Sequence, residues 1–319
     1  MEHLFIINPE AGKGRSLEYI EKIKDYFKDV DEPYHIEVTR YPGHATEVVR
    51  SYVSLKNYRV YAVGGDGTLN EVLNGIVGTG SVLAVIPCGS GNDFVKNLIG
   101  EEPIEDIFIS TLRGQEKYID LGKINNRYFI NISSVGFDSE VVYSANTFKK
   151  LKYITGSAAY ILGILTTLFK FKFIKTAITI DGVKLYKDIL LAAIANGRCY
   201  GGGVKISPKS DISDGIFDLC VVEKVSKLKI FLLFPKAIKG NHESIKQVSF
   251  YSGRNISISS SEEFVLNIDG ELLKEKQVNC QLIRNGIKVL FPERNELSVK
   301  EDSYSEAAAH LSDKNNNLV

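Results

Sequence analysis

The sequence carries no excess charge of either sign. Its 319 residues include 39 Lys and Arg and 39 Asp and Glu, so the formal net charge at pH 7 is zero. Such a chain presents no basic field over its whole surface that would attract a polyanion. We therefore expect no nucleic acid among its partners.

Cysteine and long apolar runs are also scarce. Only four cysteines occur, far apart in the sequence, and Cys88, Cys220 and Cys280 sit in apolar, strand-like surroundings. These residues are expected to be buried thiols in a reducing cytosol rather than disulfides. The apolar run at 160–169 is about half as long as a membrane span. The N-terminus has no charged region ahead of its short apolar run, so neither a signal peptide nor a membrane span is expected.

Strand-like and helix-like segments alternate in the first 120 or so residues. This alternation predicts βαβ units around a parallel sheet, with ligands bound beyond the carboxyl ends of the strands. Ser16 is the expected N-cap of the first helix. The predicted strands lie at 4–7, 35–39, 59–63 and 82–86.

Strand-like runs dominate from about residue 120 onward. The pairs Asn125-Asn126, Asp181-Gly182 and Asn285-Gly286 are typical of hairpin turns. A mostly antiparallel second domain is therefore predicted, with one helical excursion at about 141–173. The polar residues 301–319 are expected to be a disordered tail.

The segment Gly64–Glu71, which reads Gly-Gly-Asp-Gly-Thr-Leu-Asn-Glu, carries the strongest chemical signal. It follows an apolar strand and opens an amphipathic helix, so its glycines and free N–H groups suit a phosphate. Asp66 would repel that phosphate unless a metal ion or a basic side chain lies between them. Phosphoryl transfer needs this combination. The alternative is a tight turn in which Asp66 merely caps the helix.

Two further loops follow predicted strands. The loop at 8–15 is not a Walker A motif, but Lys13 and Arg15 lie at a strand-to-helix turn that either binds phosphate or only connects two elements. The loop at 89–93 brings Asp93, which together with Asp66 offers paired carboxylates for Mg²⁺. Such a pair needs a metal ion or a cation beside it. Lys13 and Lys96 are the available cations.

Three other segments have both a functional and a structural interpretation. Asp269-Gly270-Glu271 is a hairpin turn or a source of a general base, Glu271. The loop with Asp211 and Asp214 is a polar connection or a metal site. A lysine-rich stretch without acidic residues either is a core helix with solvated ends or docks on an anionic membrane surface. Its lysines are Lys149, Lys150, Lys152, Lys170, Lys172 and Lys175.

Taken together, these motifs resemble those of the bacterial diacylglycerol-kinase-like lipid kinases, relatives of sphingosine kinase and NAD kinase. The resemblance extends to about residue 292, and Ser90 stands where the family usually has Thr. The residues that carry it are Asn8-Pro9, Gly12 and Gly14, Thr39, Pro42–Ala45, Gly64–Glu71, Pro87, Gly89–Phe94, Gly201–Gly203, Pro208, Asp214-Gly215 and Asp269–Glu271.

The resemblance implies an α/β + β fold, with an N-terminal Rossmann-like nucleotide domain and a C-terminal β-sandwich. The first domain would comprise residues 1–122 with a returning segment at about 287–300, and the sandwich residues 123–286. The ATP contacts it implies are Asn8, Pro9, Glu10, Ala11, Gly12, Thr39, Gly64, Gly65, Asp66, Gly67, Thr68, Leu69, Asn70, Glu71 and Ser90.

It also implies roles in catalysis. Glu271 would accept the proton, Asp66 and Asp93 would organise Mg²⁺ and the phosphates, and Lys13 would balance their charge. A structural Mg²⁺ would lie in the acidic loop, on Asp211, Asp214 and the carbonyl of Ile216.

The expected activity is that of a cytoplasmic kinase at the inner face of the membrane. It would move the γ-phosphate of ATP to a lipid hydroxyl, with diacylglycerol as the expected acceptor and phosphatidic acid as the product. Phosphatidylglycerol or a sphingoid base would satisfy the same catalytic logic. The alternatives are an NAD kinase, whose Gly-Gly-Asp-Gly turn is similar, and a non-enzymatic lipid sensor that binds nucleotide. Oligomeric state is left open, a homodimer included.

Overall fold

The structure is a computed structural model, and it describes residues 1–100, 105–149, 166–167 and 170–294. The predicted tail at 301–319 lies outside these residues, as do Lys150, Lys152 and most of the apolar run at 160–169.

A parallel sheet forms the first part of the chain, as predicted. Its strands are β1 (Glu2–Ile7), β2 (Tyr34–Val38), β3 (Tyr58–Gly64) and β4 (Val82–Pro87), in the spatial order β2-β1-β3-β4. The helices between and after them are α1 (Glu18–Phe27), α2 (His44–Val53), α3 (Asp66–Ile76), α4 (Val95–Ile99) and α5 (Ile107–Leu112).

Strands β1, β3 and β4 are buried on both faces, as their continuous apolar runs predict, whereas every residue of β2 at the edge of the sheet is only partly buried. Leu4 and Ile6 of β1 belong to one hydrophobic cluster, whereas Phe5 and Ile7 belong to another on the opposite face. The first connection differs from the prediction. A 3-10 segment (Ala11–Leu17) precedes α1, and Ser16 does not cap the helix. Its hydroxyl donates instead to the carbonyl of Asn8 at 2.6 Å, which pins the first loop.

The second part of the chain is antiparallel. Its strands are β5 (Gln115–Ile124), β6 (Arg127–Phe129), β7 (Ile132–Gly136), β8 (Ile174–Ile180), β9 (Val183–Ala195), β10 (Phe217–Glu223), β11 (Val248–Gly253), β12 (Asn255–Ile268) and β13 (Glu271–Phe291). Among the described residues, the helices α6 (Phe137–Lys149) and α7 (Lys227–Ile238) accompany these strands.

Two of the three predicted hairpin turns are confirmed, and one is wrong. Asn125 and Asp181 lie between paired strands with left-handed φ values of 51° and 44°. Asn285 has the same backbone conformation but lies inside β13, where the pairing with β5 shifts register between Ile283 and Ile287. The pair Asn285-Gly286 therefore forms a bulge that bends one long strand, and not a hairpin.

Strand β13 connects the two parts of the sheet. Its first half pairs antiparallel with β12, whereas Lys288 and Val289 pair parallel with Val82 and Leu83 of β4. The hydrophobic cluster changes along the strand as well. Val278 packs in the cluster of the antiparallel strands, and Val289 packs in that of the parallel strands. The division into domains at residues 122 and 287 stays a prediction.

Asn74 of α3 holds both backbone groups of Tyr128 in β6. Its Oδ1 accepts from the Tyr128 N–H at 3.0 Å, and its Nδ2 donates to the Tyr128 carbonyl at 3.1 Å. We expect Asn74→Ala to lower the free energy of unfolding by about 1–3 kcal/mol, because the partly buried N–H of Tyr128 loses its partner, whereas the Tyr128 carbonyl keeps a second donor in Asn70 at 3.3 Å. Denaturant titration measures this. Asn279→Ala on β13 is the control, because this exposed side chain accepts a single hydrogen bond within the described residues, from Gln277 at 3.4 Å. Equal effects of the two substitutions would contradict the prediction.

Candidate active site

Glycine contacts bring the three predicted loops together. An ideal Cβ on Gly89 would lie 2.6 Å from Cα of Gly65, and one on Gly12, whose φ is +60°, would lie 2.7 Å from the carbonyl oxygen of Cys88. Real Cβ atoms essentially never come so close, so only glycine allows these backbones to touch. The loops after β1, β3 and β4 therefore meet at the carboxyl edge of the sheet.

Asp66 and Asp93 lie side by side where these loops meet. The helix-cap interpretation of Asp66 is wrong, since α3 begins at Asp66 itself after Gly65. Its Oδ1 accepts from the Asp93 N–H at 3.0 Å. Asp93 is 5% exposed. Its Oδ1 pairs with Lys96 at 2.7 Å, and its Oδ2 accepts from the Gly202 N–H at 2.7 Å.

Lys96 neutralises only one of the two carboxylates, so the negative charge that remains favours a bound cation. Burial raises the pKa of Asp66, and the charge of Asp93 raises it further, although backbone N–H groups of residues 92–94 lower it. Burial lowers the pKa of Lys96, but the hydrogen bond and charge of Asp93 outweigh this effect and raise it. Lys13 is exposed and forms no ion pair within the described residues. The charge of Asp93 is therefore balanced by Lys96, the second of the two cations that the sequence offered.

The remaining residues expected at the nucleotide differ in what they contact. Asn8 donates to the Thr68 hydroxyl at 3.0 Å, which links the first two loops, and Ser90 and Gly67 are exposed. Asn70 and Glu71 have partners in the protein. Asn70 donates to the carbonyl of Tyr128 at 3.3 Å. Glu71 accepts from the N–H groups of Gly43 and Ala45, at the start of α2. Contacts of these residues with ATP stay predictions.

The turn between β12 and β13, which contains Asp269 and Gly270, lines the same cavity as Asp66 and Asp93. Asp269 accepts from the N–H groups of Ile130, Asn131 and Ile132 at 2.7, 3.2 and 2.9 Å. Burial raises the pKa of Asp269 to about 6, although these N–H groups lower it. Glu271 is partly exposed and forms an ion pair with Arg127. Asp269 and Gly270 line the cavity described next, and Glu271 follows them directly.

A cavity of about 430 Å³ extends from the carboxylates into the antiparallel part of the chain. One part of its wall holds Asp66, Ser90, Asp93 and Gly270. The rest is predominantly apolar and includes Phe137, Val141, Leu190, Leu191, Ile206 and Val248. Asp138 and His242 also line the wall, and each has a buried atom without a hydrogen-bond partner, Oδ1 and Nδ1. The cavity thus joins an end lined by two carboxylates to an apolar chamber.

The predicted metal site in the acidic loop lies apart from this cavity. Asp211 lines a separate pocket beside Arg198 and Phe291, and its Oδ1 accepts from the Ser213 N–H at 2.9 Å. Burial raises the pKa of Asp214, and so do the charges of nearby carboxylates, Asp211 first among them. This unbalanced charge suits a cation. In the part of the chain that the structure describes, however, no three His, Cys, Asp or Glu side chains converge on one point. The site on Asp211, Asp214 and Ile216 stays a prediction.

Sequence reasoning missed the apolar chamber and the polar residues in it. Asp138 follows Phe137 at the start of α6, so an acidic residue between a buried strand and an apolar helix face was the available signal. The sequence contains no signal for the roles of Arg127 and Gly202. Arg127 contacts Glu271 and Gly202 contacts Asp93, and each contact joins residues more than a hundred positions apart.

Comparisons with known proteins agree with this geometry. Residues 2–124 match the model of the diacylglycerol kinase catalytic domain, and residues 131–291 match that of the YegS C-terminal NAD kinase beta sandwich-like domain. A diacylglycerol kinase of Staphylococcus saprophyticus is 31% identical over 291 residues, which are 90% of this chain and 94% of the relative. The chain belongs to the diacylglycerol kinase family.

Further relatives agree. A diacylglycerol kinase of Bacillus subtilis is 29% identical over 269 residues, which cover 83% of this chain and 88% of the relative. A crystal structure of a diacylglycerol kinase from Bacillus anthracis superposes with a TM-score of 0.67 at 22% identity, over 91% of this chain and 96% of that one. This likeness confirms the predicted fold, a Rossmann-like α/β part followed by a sandwich-like β part.

The protein is therefore an ATP-dependent lipid kinase, as predicted. ATP is its co-substrate, and such kinases typically need a divalent metal ion. NAD kinase is not better supported, because the catalytic part matches the diacylglycerol kinase model. Within the described residues, no helix has the length and hydropathy needed to cross a bilayer.

Gly91 supplies the space between the two carboxylates. An ideal Cβ there would lie 2.9 Å from Oδ2 of Asp66 and 3.4 Å from Oδ2 of Asp93. Because the Asp66 carboxylate is the end of a side chain, it can move aside, so Gly91→Ala should shift it without unfolding the protein. We expect kcat/KM to fall about 10–100-fold, since small misplacements of catalytic groups are costly. Steady-state kinetics and thermal unfolding together measure this. Unchanged activity, or a loss explained by unfolding, would contradict it.

Asp269 should make stability depend on pH. Because its pKa is raised from 3.8 to about 6, the folded state holds the proton more tightly than the unfolded chain. The stabilisation from this group is fully present below the unfolded pKa and is lost as the pH rises through the folded pKa. We expect the unfolding free energy of the wild type, relative to Asp269→Asn, to fall by on the order of 2 kcal/mol between about pH 4 and pH 7. Denaturant titrations at several pH values measure this. A pH-independent difference would count against it.

Proposed function

We propose that this kinase transfers the γ-phosphate of ATP to the free hydroxyl of diacylglycerol and so forms phosphatidic acid. The observation that carries the proposal is the cavity, whose wall combines Asp66 and Asp93 with an apolar chamber. Two acyl chains need such a chamber, whereas NAD is polar at both ends. The names of the relatives point to the same acceptor.

The glycine loops would bind the triphosphate. The N–H groups at the start of α3, together with the loops after β1 and β4, offer donors where the three backbones meet. Asp66 and Asp93 would hold Mg²⁺, since two adjacent carboxylates with one lysine retain a net negative charge. The metal ion, when bound, would neutralise charge on the phosphates. Lys13, exposed on the first loop, would remain free to reach the phosphates.

Glu271 would take the proton from the lipid hydroxyl. Its neighbour Gly270 lies in the cavity wall, and Asp269 ties the turn to three backbone N–H groups, so the turn is held rigidly. Arg127 holds the Glu271 carboxylate from the other side. The acidic loop with Asp211, Asp214 and the Ile216 carbonyl would bind a structural Mg²⁺ away from the reaction.

The membrane surface would supply the acceptor, with the kinase bound peripherally at the cytoplasmic face. Exposed Lys172 lies between Phe171 and Phe173, which pack against the apolar cluster that includes the chamber residues Phe137 and Val141. Lys170 and Lys175 are exposed as well. Aromatic residues interleaved with exposed lysines suit contact with anionic headgroups.

Glu271→Gln tests the assignment of the base. The change keeps the shape and removes the basic oxygen, so kcat should fall by about 10² or more, while ATP affinity stays within a few-fold. Transfer of labelled phosphate to diacylglycerol, with phosphatidylglycerol, a sphingoid base and NAD as alternative acceptors, is the measurement. Glu275→Gln on the same strand serves as the matched control. Retained activity of the Glu271→Gln variant would remove Glu271 from the role, and transfer to NAD alone would refute the proposed acceptor.

A further inference from the structure

Helix α7 forms one wall of the apolar chamber. Ile230 and Ala237 both line the cavity. They are seven positions apart in the sequence, which is close to two turns of an α-helix, so they share one face of α7. Val225, just before the helix, and Ile245, shortly after it, line the cavity as well. One face of α7 is therefore directed at the chamber.

The other side of α7 is open to solvent. Pro235, Lys236 and Lys239 are exposed, and the exposed fraction of Ile238 is 42%. Lys236 and Lys239 are neighbours on the helix surface because they are three positions apart. Lys239 lies about half a revolution round the helix axis from Ile230. Neither lysine takes part in an ion pair among the residues that the structure describes.

The stretch of chain from residue 224 to residue 242, which contains α7, is basic and holds no Asp or Glu. Its lysines are Lys224, Lys227, Lys229, Lys236 and Lys239. The acidic residues at its two borders have other partners, since Glu223 pairs with Lys187 at 2.6 Å and Glu243 with Lys209 at 2.8 Å. Because the whole protein has a formal net charge of zero, this local excess of positive charge favours a negatively charged partner at this surface.

Helix α7 also adjoins the lysine-rich residues 170–175. The ammonium group of Lys224 lies 5.5 Å from the centre of the Phe173 ring. Phe171 and Phe173 pack against the same hydrophobic cluster as Ile230, and that cluster includes the chamber residues Leu190 and Leu191. Two basic segments therefore meet beside the chamber.

An anionic membrane surface matches these features. A chamber for acyl chains receives its lipid from a bilayer, and lysines near a bilayer are attracted to anionic headgroups. We propose that the outer side of α7, through Lys236 and Lys239, docks the kinase on the anionic headgroups of a membrane and holds the chamber against the lipid surface. This inference rests on the proposed function, since it takes the chamber to be the acceptor site. It adds a second docking element to residues 170–175.

Vesicle binding tests the proposal. The full-length kinase is sedimented with vesicles of phosphatidylcholine, either alone or with phosphatidylglycerol added. Lys236→Gln combined with Lys239→Gln should weaken binding to the anionic vesicles about 25-fold, at about fivefold for each lysine. Thermal unfolding should not change, because both side chains are exposed. Lys22→Gln combined with Lys28→Gln, at the exposed side of α1, removes the same charge and should change binding at most about twofold.

Other outcomes overturn the proposal. Equal losses in the two double variants would mean that net charge, and not α7, governs binding. Equal binding of the wild type to both kinds of vesicle would exclude headgroup charge as the attraction. A shift from dimer to monomer in the α7 variant, measured by sedimentation velocity and without a change in vesicle binding, would assign this surface to a second copy of the chain.

Turnover of a short-chain diacylglycerol in neutral detergent micelles tests the proposed function separately. Turnover by a wild type that does not bind anionic vesicles would refute the docking and leave the proposed function intact. Vesicle binding that depends on Lys236 and Lys239, without any turnover of diacylglycerol, would refute the proposed acceptor and the role of the chamber, but not the contact between α7 and the membrane.

Discussion

The contact between Gly65 and Gly89 is the constraint on which the site depends. Their backbones approach so closely that a Cβ on Gly89 would come within 2.6 Å of Gly65 Cα. This approach places the loop after β3 against the loop after β4, and Asp66 and Asp93 follow directly on the two loops. Any larger residue would separate the two strands' ends and with them the carboxylates. The adjacency of these two carboxylates thus depends on glycine at positions 65 and 89.

A neighbouring cation explains why the adjacent carboxylates of Asp66 and Asp93 are tolerated in the folded protein. Two adjacent carboxylates, one of them buried, are stable only beside cations, and Lys96 supplies one of these. A bound metal ion would neutralise the remaining negative charge. Asp269 is a related case, because burial raises its pKa to about 6 although backbone N–H groups lower it.

In the proposed function, the apolar chamber accommodates the acyl chains of the acceptor. The βαβ part alone could bind a nucleotide, but the long strands β9 to β12 add a chamber lined by aliphatic side chains. Strand β13 pairs with β12 in the antiparallel part of the sheet and with β4 in the parallel part. The two parts that contribute residues to the cavity therefore belong to one hydrogen-bonded sheet.

Much of the fold was predictable from local patterns. Buried strands with glycine turns at their ends identify a parallel sheet, and alternation with Asn and Asp turns identifies an antiparallel part, because both signals depend on nearest neighbours in sequence. The bulge at Asn285 escaped this reasoning, since its backbone conformation is that of a hairpin turn. Only the pairing with β5 on both sides shows that the strand continues.

The sequence by itself determined the chemistry available: three glycine loops, the carboxylates of Asp66, Asp93 and Glu271, and the kinase family they resemble. The tertiary structure decided which of these groups meet. It showed that Lys96 pairs with Asp93 and that Arg127 pairs with Glu271. It also showed an apolar cavity, lined in part by Asp138, that no sequence motif predicts. The reason is physical. Hydrogen-bonding turns and helix starts are local, whereas ion pairs and cavities depend on distances between segments that the chain brings together only when the whole sheet has formed.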